Sequence, residues 1–510
     1  MSATDTRTGR TGHVVVIGGG ISGLAAAHRL LGGGARVTVL EASQRLGGKL
    51  IAGEIAGFPV EVGAESMLAR RPEAVVLARA VGLGERLQPP ATASAMLWTR
   101  GSLRPMPKGH LMGVPGDLGP LAASGVISDE GLARIARDAD LPRTEVGEDV
   151  AVGEYIAARL GREVVDRLVE PLLGGVYAGN AYRISMRAAV PQLFEAARAE
   201  RSLLDGVRGV QRRAAEAVEA QREAELKAGP ELSDARPDAE RSAPGQPRPV
   251  FNGIVGGVGT LPLAVADACR AAGAEIRTGT AVRALTRTAR GWRIVTGRGA
   301  DENAIEADAV VLAVPAPVAA RLLADEAPAA ASELAAVDYA SMALVTMAFR
   351  RGGVANLPVS SGFLVPPVDG RTIKASTFAS RKWGWIGDAD PDLFVLRTSI
   401  GRFGEEADLK REDAELVGMS LRDLGAAVGL AAVPVASRVT RWDEGLPQYP
   451  VGHLGRVERV RERVAALPGL RVCGAVYEGV GIPACIASAR RAADELLVTL
   501  PSGAPDEAGQ

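Results

Sequence analysis

The sequence predicts an α/β fold, α+β over its whole length, in which a Rossmann-like dinucleotide-binding domain is combined with a discontinuous second domain of antiparallel sheet and a helical lobe. Near the N-terminus, the apolar, β-branched run Val14–Ile17 has the pattern of a buried parallel strand, and the Ala- and Leu-rich stretch Ser22–Leu31 has that of a helix. A second strand pattern, Arg36–Leu40, completes a strand–helix–strand unit. Between residues 338 and 400, several apolar strand-like segments favour a second sheet that is mainly antiparallel.

Three glycines lie between the first strand and the helix. Gly18, Gly20 and Gly23 fit the pattern G-x-G-x-x-G, in which the glycines allow a tight turn, close approach of the backbone to a pyrophosphate, and close packing of helix on strand. The helix N-terminus that follows offers free N–H groups and the positive end of the helix dipole to the same group. Glu41, at the end of the second strand, is placed to accept hydrogen bonds from ribose hydroxyls. Because these features occur in register, a dinucleotide site is favoured over a purely structural βαβ unit.

A second glycine pair follows in Arg45–Lys49 (RLGGK). A Rossmann unit for a nicotinamide dinucleotide has no need of this pair. The extension resembles the FAD-binding start of the amine oxidase and protoporphyrinogen oxidase group of flavoproteins, where the turn covers the flavin diphosphate. After a predicted hairpin, Leu50–Val62, Gly63 and Ala64 have almost no side chain, so the backbone there can lie against a flat ring. A plain tight turn is the alternative, but the position favours the flavin, and FAD is the predicted cofactor.

Composition limits the classes of partner. The chain of 510 residues is long enough for two or three lobes, and its formal net charge of −1 argues against a nucleic-acid partner, which usually meets a strongly basic face. The cysteines, Cys269, Cys473 and Cys485, are too widely spaced for a CxxC metal site, so reduced, buried thiols and no metal are expected. No apolar run of about 18 residues suits a membrane span, and the polar N-terminal tail lacks the apolar core of a signal peptide. We expect a cytoplasmic protein with at most peripheral membrane contact.

The order of elements along the chain predicts discontinuous domains. Residues 211–250 begin as a charged helical pattern and become polar and proline-rich from residue 229, which is typical of a mobile loop. In chain order we expect a disordered tail at 1–12; a first FAD-binding segment at 13–90; a substrate and helical lobe at 91–250, with 211–250 as a flexible insertion; a second FAD-binding segment at 251–320; a substrate-binding antiparallel sheet at 321–440; a third FAD-binding segment at 441–499; and a tail at 500–510.

Three later segments carry more specific patterns. Pro171–Asn180 (PLLGGVYAGN) places three glycines and a tyrosine where we expect a break between two helices, close to a ligand. In Gly474–Ile486 (GAVYEGVGIPACI), a glycine-rich turn leads to a helix that is predicted to begin near Ile482. Together with Leu446–His453 (LPQYPVGH), these segments resemble the protoporphyrinogen/coproporphyrinogen III oxidase family, and the resemblance covers nearly the whole chain.

The resemblance implies a set of site residues. The implied FAD contacts, including a backbone contact with adenine at Val282, are Gly18, Gly20, Ile21, Ser22, Gly23, Glu41, Ala42, Arg45, Gly48, Lys49, Gly63, Ala64, Glu65, Ser66, Val282, Trp442, Val480, Gly481 and Ile482. On the substrate side the resemblance implies Gly175, Leu364 and a basic residue for propionates. Arg71, or its neighbour Arg70, is the candidate for that residue, and a hydrated surface pair is the alternative. Where the family often has aspartate, this chain has Ala484, which removes one possible polar contact.

The activity implied is FAD-dependent oxidation of a porphyrinogen to a porphyrin in haem biosynthesis, with loss of six electrons, O2 as acceptor and H2O2 as product. The cofactor carries the chemistry, and in keeping with this the sequence has no nucleophile–base–acid set; no side chain is singled out as catalytic, and a structural role is expected for His453. Coproporphyrinogen III, a tetrapropionate, is favoured over protoporphyrinogen IX because the chain resembles the coproporphyrin-forming branch. Two or more arginines would suit its charge. A ferrochelatase is a candidate downstream partner.

Two other functions remain open. A flavin amine oxidase or carotenoid desaturase would share the N-terminal pattern, but such amine oxidases tend to build an aromatic cage, and aromatic residues are only 4% of this chain. The segments PLLGGVYAGN and LPQYPVGH also fit neither as well. A flavin-containing scaffold or regulator without turnover is the alternative from another class, and the flavin contacts implied at both ends of the chain argue against it.

Overall fold

The computed structural model describes residues 12–92, 94–233, 249–297 and 299–500. The predicted N- and C-terminal tails lie outside these residues, except for Gly12 and Leu500, and so does the part of the predicted mobile loop from 234 to 248. The strands are β1 (His13–Ile17), β2 (Arg36–Leu40), β3 (Ala52–Ile55), β4 (Phe58–Glu61), β5 (Met67–Leu68), β6 (Leu87–Gln88), β7 (Met96–Thr99), β8 (Ser102–Pro105), β9 (His110–Leu111), β10 (Val114–Pro115), β11 (Phe251–Ile254), β12 (Glu275–Arg277), β13 (Val282–Thr288), β14 (Gly291–Thr296), β15 (Asn303–Ala307), β16 (Ala309–Leu312), β17 (Tyr339–Arg350), β18 (Gly362–Leu364), β19 (Ile373–Thr377), β20 (Leu393–Ile400), β21 (Ala436–Pro447) and β22 (Leu470–Val472).

The helices connect these strands and form a lobe of their own between β10 and β11. They are α1 (Ile21–Gly32), α2 (Pro72–Ala80), α3 (Leu118–Ser124), α4 (Asp129–Ala136), α5 (Val152–Leu160), α6 (Arg162–Val164), α7 (Glu170–Tyr177), α8 (Met186–Ala189), α9 (Pro191–Ala199), α10 (Leu203–Ser233), α11 (Thr260–Ala271), α12 (Ala316–Leu323), α13 (Pro328–Ala335), α14 (Ala379–Lys382), α15 (Gly384–Gly387), α16 (Asp413–Val428), α17 (His453–Ala465), α18 (Ala475–Glu478) and α19 (Ile482–Leu497).

A five-stranded parallel sheet has the order β12–β2–β1–β16–β22. Its strands come from both ends and from the middle of the chain. Val14 and Val16 face a core shared with α1, α11 and α19, whereas Val15 and Ile17 face a core shared with α12, α13 and α17. Because both faces are covered, every residue of β1 is buried, which explains its unbroken apolar sequence. The predicted α/β fold is confirmed.

A seven-stranded sheet has the order β21–β17–β20–β19–β18–β7–β8, and every neighbouring pair except β18–β7 is antiparallel. This agrees with the mainly antiparallel sheet that the sequence predicts. Strand β21 crosses residue 440, where the sequence predicts a domain boundary. The apolar pattern of Gly404–Val428 predicts one helix, but α16 begins only at Asp413, because Glu412 and Glu415 form a capping box there.

The helical lobe contains two departures from the sequence pattern. The expected break in Pro171–Asn180 is wrong for its first part, since α7 runs through Gly174 and Gly175 to Tyr177. The C-cap residue Ala178 then has a positive φ of 50°. Burial of apolar side chains on this helix outweighs the cost of about 1 kcal/mol that each glycine imposes on a helix. The charged helical pattern after residue 211 is confirmed in α10, but this helix continues to Ser233, so the loop predicted from residue 229 is wrong for 229–233.

Candidate active site

The first glycine turn lies between β1 and α1. Gly18 has a positive φ of 111°, and a Cβ atom at Gly23 would overlap the carbonyl oxygen of Gly18, so only glycine lets the helix pack this closely on the turn. Gly20 is the N-cap of α1 and gives no side-chain cap, which leaves the first-turn N–H groups of the helix available to a ligand. The carboxylate of Glu41 accepts hydrogen bonds from the backbone N–H groups of Gly19, at 2.7 Å, and Ser43, at 2.8 Å.

The second glycine turn contacts the first. The N–H of Gly47 donates to the carbonyl oxygen of Gly19 at 2.9 Å, and Nη1 of Arg45 donates to the carbonyl oxygen of Gly48 at 2.9 Å. The atom nearest to a Cβ added at Gly20 would be the Cα of Gly48, at 3.9 Å. A side chain on Gly20 would therefore lie against the second turn, and glycine at this position leaves the backbone without a side chain that could obstruct the approach of a diphosphate.

The N-terminus of α19 lies beside that of α1, although the two are far apart in sequence. The thiol of Cys485, in the first turn of α19, is hydrogen-bonded to the side chain of Ser22, in the first turn of α1, and the two helices pack against each other. Gly481 is the N-cap of α19, again without a side-chain cap. Burial raises the pKa of the nearby Cys485 thiol to about 11, so this thiol is protonated at neutral pH.

Next to Glu41, the backbone of the 279–282 segment reaches the parallel sheet. The N–H of Thr280 donates to the carbonyl oxygen of Glu41 at 2.8 Å, and the N–H of Glu41 donates to that of Arg277 at 2.9 Å. Val282 is buried, and its carbonyl oxygen accepts from Arg321 at 3.1 Å. The two residues that the resemblance assigns to the adenosine end, Glu41 and Val282, are thus on adjoining segments.

At the other end of the site, Gly63 packs between Lys49 and Trp442. A Cβ at Gly63 would overlap the carbonyl oxygen of Lys49 and lie 3.2 Å from Cζ2 of Trp442. The indole Nε1–H of Trp442 donates to the carbonyl oxygen of Val62 at 2.9 Å. Trp442 lies on β21, so the antiparallel sheet contributes directly to the turn that the sequence assigns to the flavin ring.

Glu65 is held by two cations that the sequence did not single out. Nη2 of Arg397 lies 2.7 Å from Oε2 of Glu65, and Lys382 contacts Oε1. Burial alone would raise the pKa of Glu65, but Arg397 and Lys382 outweigh burial and hold this pKa below its ordinary value. Nη1 of Arg397 also donates to the carbonyl oxygens of Glu61, at 3.2 Å, and Gly63, at 3.1 Å. An arginine directly after four apolar residues in strand β20 was the available signal in the sequence.

Glu61 lies beneath the same turn. Its Oε1 accepts from the N–H of Gly259 at 2.9 Å, and Oε2 has no hydrogen-bond partner among the described residues. Burial raises the pKa of Glu61 to about 8, so its carboxyl group is protonated at neutral pH. Glu61, Glu65, Arg397 and Trp383 line a small cavity between the turn and the antiparallel sheet.

The candidate substrate residues Gly175 and Leu364 contact each other. A Cβ at Gly175 would lie 3.8 Å from Cδ2 of Leu364, and Leu364 and Val480 pack, half-buried, against the same apolar core. Val176 next to them is 45% exposed, so α7 presents an open apolar surface here. Arg71, in contrast, begins α2 and pairs with Glu73 at 2.6 Å. No contact recorded for the described residues joins Arg71 to Gly175 or Leu364.

The three segments that carry the resemblance, Pro171–Asn180, Leu446–His453 and Gly474–Ile486, pack against each other. Nε2 of Gln448 donates to the carbonyl oxygen of Tyr177 at 2.8 Å, and the Tyr449 hydroxyl donates to the carbonyl oxygen of Ala475. The imidazole of His453 stacks on Tyr449 with ring centroids 4.2 Å apart, and its Nε2 lies 2.8 Å from the carbonyl oxygen of Val476. Burial lowers the pKa of His453 to about 4, so the ring is neutral and holds the 474–481 turn in place.

The remaining implied residues lie on these same segments: Ile21 on α1; Ala42 directly after Glu41; Ala64 and Ser66 in the turn after β4; and Ile482 at the start of α19. Contacts join Glu41 to the 279–282 segment and to the first glycine turn, the first turn to the second, and the second turn to Gly63 and Trp442. The start of α19, which follows the 480–482 turn, contacts α1 through Cys485 and Ser22. In the part of the chain that the structure describes, no group of three His, Cys, Asp or Glu side chains could hold a metal ion. Within the same residues, no helix is long and apolar enough to cross a bilayer.

Two glycine turns in contact with each other, with two helix N-termini that have no side-chain cap, suit the diphosphate of a dinucleotide. The family model of flavin-containing amine oxidoreductases matches residues 21–497, and the chain belongs to this family. It is a flavin-dependent oxidoreductase, and FAD is its cofactor.

Individual relatives have names that are more specific than that of the family. The coproporphyrinogen III oxidase of Mycobacterium tuberculosis is 36% identical over 490 residues, which cover 95% of this chain and 97% of the relative. The protoporphyrinogen oxidase of Bos taurus is 30% identical over 532 residues, which cover 97% of this chain and 100% of the relative. The crystal structure of an Exiguobacterium protein, provisionally named a protoporphyrinogen oxidase, superposes on this chain with a TM-score of 0.79. The two sequences are 31% identical, and the superposition covers 96% of this chain and 99% of that one.

Proposed function

We propose that the protein oxidises coproporphyrinogen III to coproporphyrin III in haem biosynthesis, with FAD as the immediate oxidant and O2 as the final acceptor. The observation that carries this proposal is the contact of Gly175 with Leu364 in the same apolar cluster as Val480. These residues come from three distant parts of the chain and form a half-open apolar surface next to the 480–482 turn. Such a surface suits a flat macrocycle that is apolar except for its acidic side chains. The relative named for coproporphyrinogen III has higher identity than the one named for protoporphyrinogen.

The overall reaction removes six electrons and six hydrogen atoms from the porphyrinogen, in three two-electron rounds that each consume one O2 and form one H2O2. FAD supplies the hydride acceptor for a bridging methylene carbon. The residues of the chain bind and orient the reactants and exclude water. Neither the Cys485 thiol, whose pKa burial raises to about 11, nor the His453 imidazole, whose pKa burial lowers to about 4, is suited to proton transfer at neutral pH.

We assign the series of segments to successive parts of FAD. Glu41 and Val282 take the adenosine; the two glycine turns and the N-terminus of α1 take the diphosphate; and the Gly63 turn, Trp442 and the 480–482 turn take the flavin ring. The contacts between these segments support this assignment. In the same way we propose that 13–90, 251–320 and 441–499 form the FAD-binding domain, and that 91–250 and 321–440 form the substrate-binding domain.

The test is anaerobic reduction of the purified protein. Coproporphyrinogen III should bleach the FAD absorbance, and admission of O2 should restore it with formation of H2O2. An unchanged flavin spectrum would contradict the proposal and favour a flavoprotein without turnover. Amine substrates and carotenoid precursors serve as controls, and they should leave the spectrum unchanged.

Protoporphyrinogen IX is the second candidate substrate. One observation favours it: Arg71, the residue proposed to bind a propionate, is paired with Glu73 and is not free to offer its whole charge to a tetra-acid. Comparison of kcat/KM for the two porphyrinogens distinguishes the candidates, and a clear preference for protoporphyrinogen IX would overturn the first.

We further propose a cytoplasmic location and delivery of the product to a ferrochelatase. The absence of an apolar spanning helix within the described residues is compatible with this location. Cell fractionation tests the location, and co-purification with a ferrochelatase tests the partner.

A further inference from the structure

A group of charged side chains lies at one end of the antiparallel sheet, where β18 ends and β19 begins. Lys374 is the second residue of β19 and is only 6% exposed. Its carbonyl oxygen accepts from the N–H of Val365 at 2.9 Å. Arg402, just after β20, donates from Nη2 to the carbonyl oxygen of the same Val365 at 3.2 Å. The backbone of Lys374 and the side chain of Arg402 therefore contact the same residue, and the charge of Arg402 is close enough to lower the pKa of Lys374.

The two cations are incompletely paired. Nζ of Lys374 has no hydrogen-bond partner among the described residues. Arg402 has Glu405 at 3.6 Å, but that carboxylate is 61% exposed. Asp423 accepts from the N–H groups of Thr372, at 2.9 Å, and Ile373, at 3.0 Å. A buried ammonium group without a partner is unfavourable, so the site is short of one acceptor.

The carboxyl group of Glu170 is also nearby, but it does not supply the acceptor that Lys374 lacks. Oε2 of Glu170, the first residue of α7, accepts from the N–H of Ala181 at 2.6 Å. Burial raises the pKa of Glu170 to about 7, and burial lowers the pKa of Lys374 to about 7, with Arg402 as a second cause. Burial disfavours the charged form of each group, so the pKa of the carboxyl group rises and the pKa of the ammonium group falls.

The charged group that contains Lys374 and Arg402 adjoins the proposed substrate surface. Val365 directly follows Leu364, which contacts Gly175, and α7 packs on both β18 and β19. The N–H of Phe403 donates to the carbonyl oxygen of Ala178 at 2.7 Å, which ties the segment after Arg402 to the end of α7. A molecule that lies against Leu364 and Gly175 would therefore have its edge close to Lys374 and Arg402.

We propose that Lys374 and Arg402 form a binding site for one carboxylate of the substrate, which for a porphyrinogen is the end of a propionate side chain. This inference rests on the proposed function, because only an acidic substrate supplies the missing charge. It assigns to the chain a propionate contact on the antiparallel sheet that is distinct from Arg71. A purely structural lysine is the competing explanation, and replacement of such a lysine by an apolar residue is often neutral or stabilising.

The test uses the FAD-loaded protein and coproporphyrin III, the air-stable tetra-acid product, as the probe. Lys374→Met preserves the length of the side chain and removes its charge, and Lys410→Met, at an exposed position, is the matched control. We expect Lys374→Met to weaken coproporphyrin III binding about tenfold or more and to raise KM for coproporphyrinogen III by a similar factor. FAD content, kcat and the behaviour of the control should stay close to wild type. Lys374→Arg should restore part of the affinity.

Different failures have different meanings. If wild type neither binds coproporphyrin III nor is reduced by coproporphyrinogen III, the proposed function is wrong. If wild type does both and Lys374→Met binds the probe as tightly as wild type, only this inference is wrong, and a raised melting temperature of the variant would mark the lysine as structural. If Lys374→Met does not fold, Lys374→Gln is used as the variant. A second measurement then compares the binding of coproporphyrin III and of its tetramethyl ester to wild type. Wild type should then bind the ester about tenfold less tightly than the acid, and equal binding of the two would overturn the proposal.

Discussion

Arg397→Met should weaken FAD binding, because Arg397 connects the antiparallel sheet to the turn that carries Gly63. Methionine keeps much of the volume of the side chain. It removes the ion pair with Glu65 and the hydrogen bonds to the carbonyl oxygens of Glu61 and Gly63. The turn would then be held to the sheet mainly by the hydrogen bond of Trp442 to Val62.

The expected magnitude follows from the burial of this ion pair. The side chains of Arg397 and Glu65 are each 11% exposed, and removal of one partner from a buried pair costs about 3–5 kcal/mol. Because Lys382 still contacts Glu65, we expect the lower end of that range. About 3 kcal/mol corresponds to roughly a hundredfold weaker binding if the whole cost falls on the turn as it closes around FAD.

The assay is titration of the apoprotein with FAD, followed by quenching of flavin fluorescence. Arg438→Met is the matched control, since Arg438 is exposed on neighbouring β21 and has only a 3.5 Å contact with the carbonyl oxygen of Glu54. The control should bind FAD as wild type does. A dissociation constant for Arg397→Met within threefold of wild type would refute the reasoning, and so would equal losses in both variants.

Three further outcomes are expected. Gly23→Val should abolish FAD binding, because even its Cβ would overlap the carbonyl oxygen of Gly18; an FAD-loaded variant, recognised by its visible spectrum, would contradict this. Burial raises the pKa of Glu61 from 4.5 to about 8, so the folded protein keeps a proton that the unfolded chain releases, and the free energy of unfolding should fall as pH rises from about 4.5 to about 8. Glu61→Gln should flatten this part of the profile in denaturant titrations, and an unchanged slope would count against the assignment. His453→Phe should lose the contact with Val476 and retain FAD less well, while the pH profile of kcat stays unchanged; a profile that loses an ionisation would instead assign the imidazole to proton transfer.

Much of the FAD side of the molecule could be predicted from the sequence. The strand, the glycine turn and the helix are neighbours in the chain, and their pattern depends on local rules: an unbroken β-branched run for a strand covered on both faces, and glycine where a Cβ would overlap backbone. The same rules located α19 and the 480–482 turn. Local patterns failed where tertiary packing outweighed propensity, as in α7, which runs through Gly174 and Gly175 although both disfavour a helix.

The sequence by itself therefore determined the class of fold and the cofactor, and it predicted the segments proposed to bind that cofactor. Only the tertiary structure decided the partners: Arg397 and Lys382 for Glu65, Leu364 for Gly175, and an unpaired Lys374 beside Arg402. Periodicity shows which face of a strand is buried, but it does not show which strand lies beside which. The parallel pairing of β18 with β7, between otherwise antiparallel neighbours, has no local signature. Contacts between residues this far apart in sequence form only when both sheets and the helical lobe pack together, because each lobe needs the others to bury its apolar faces.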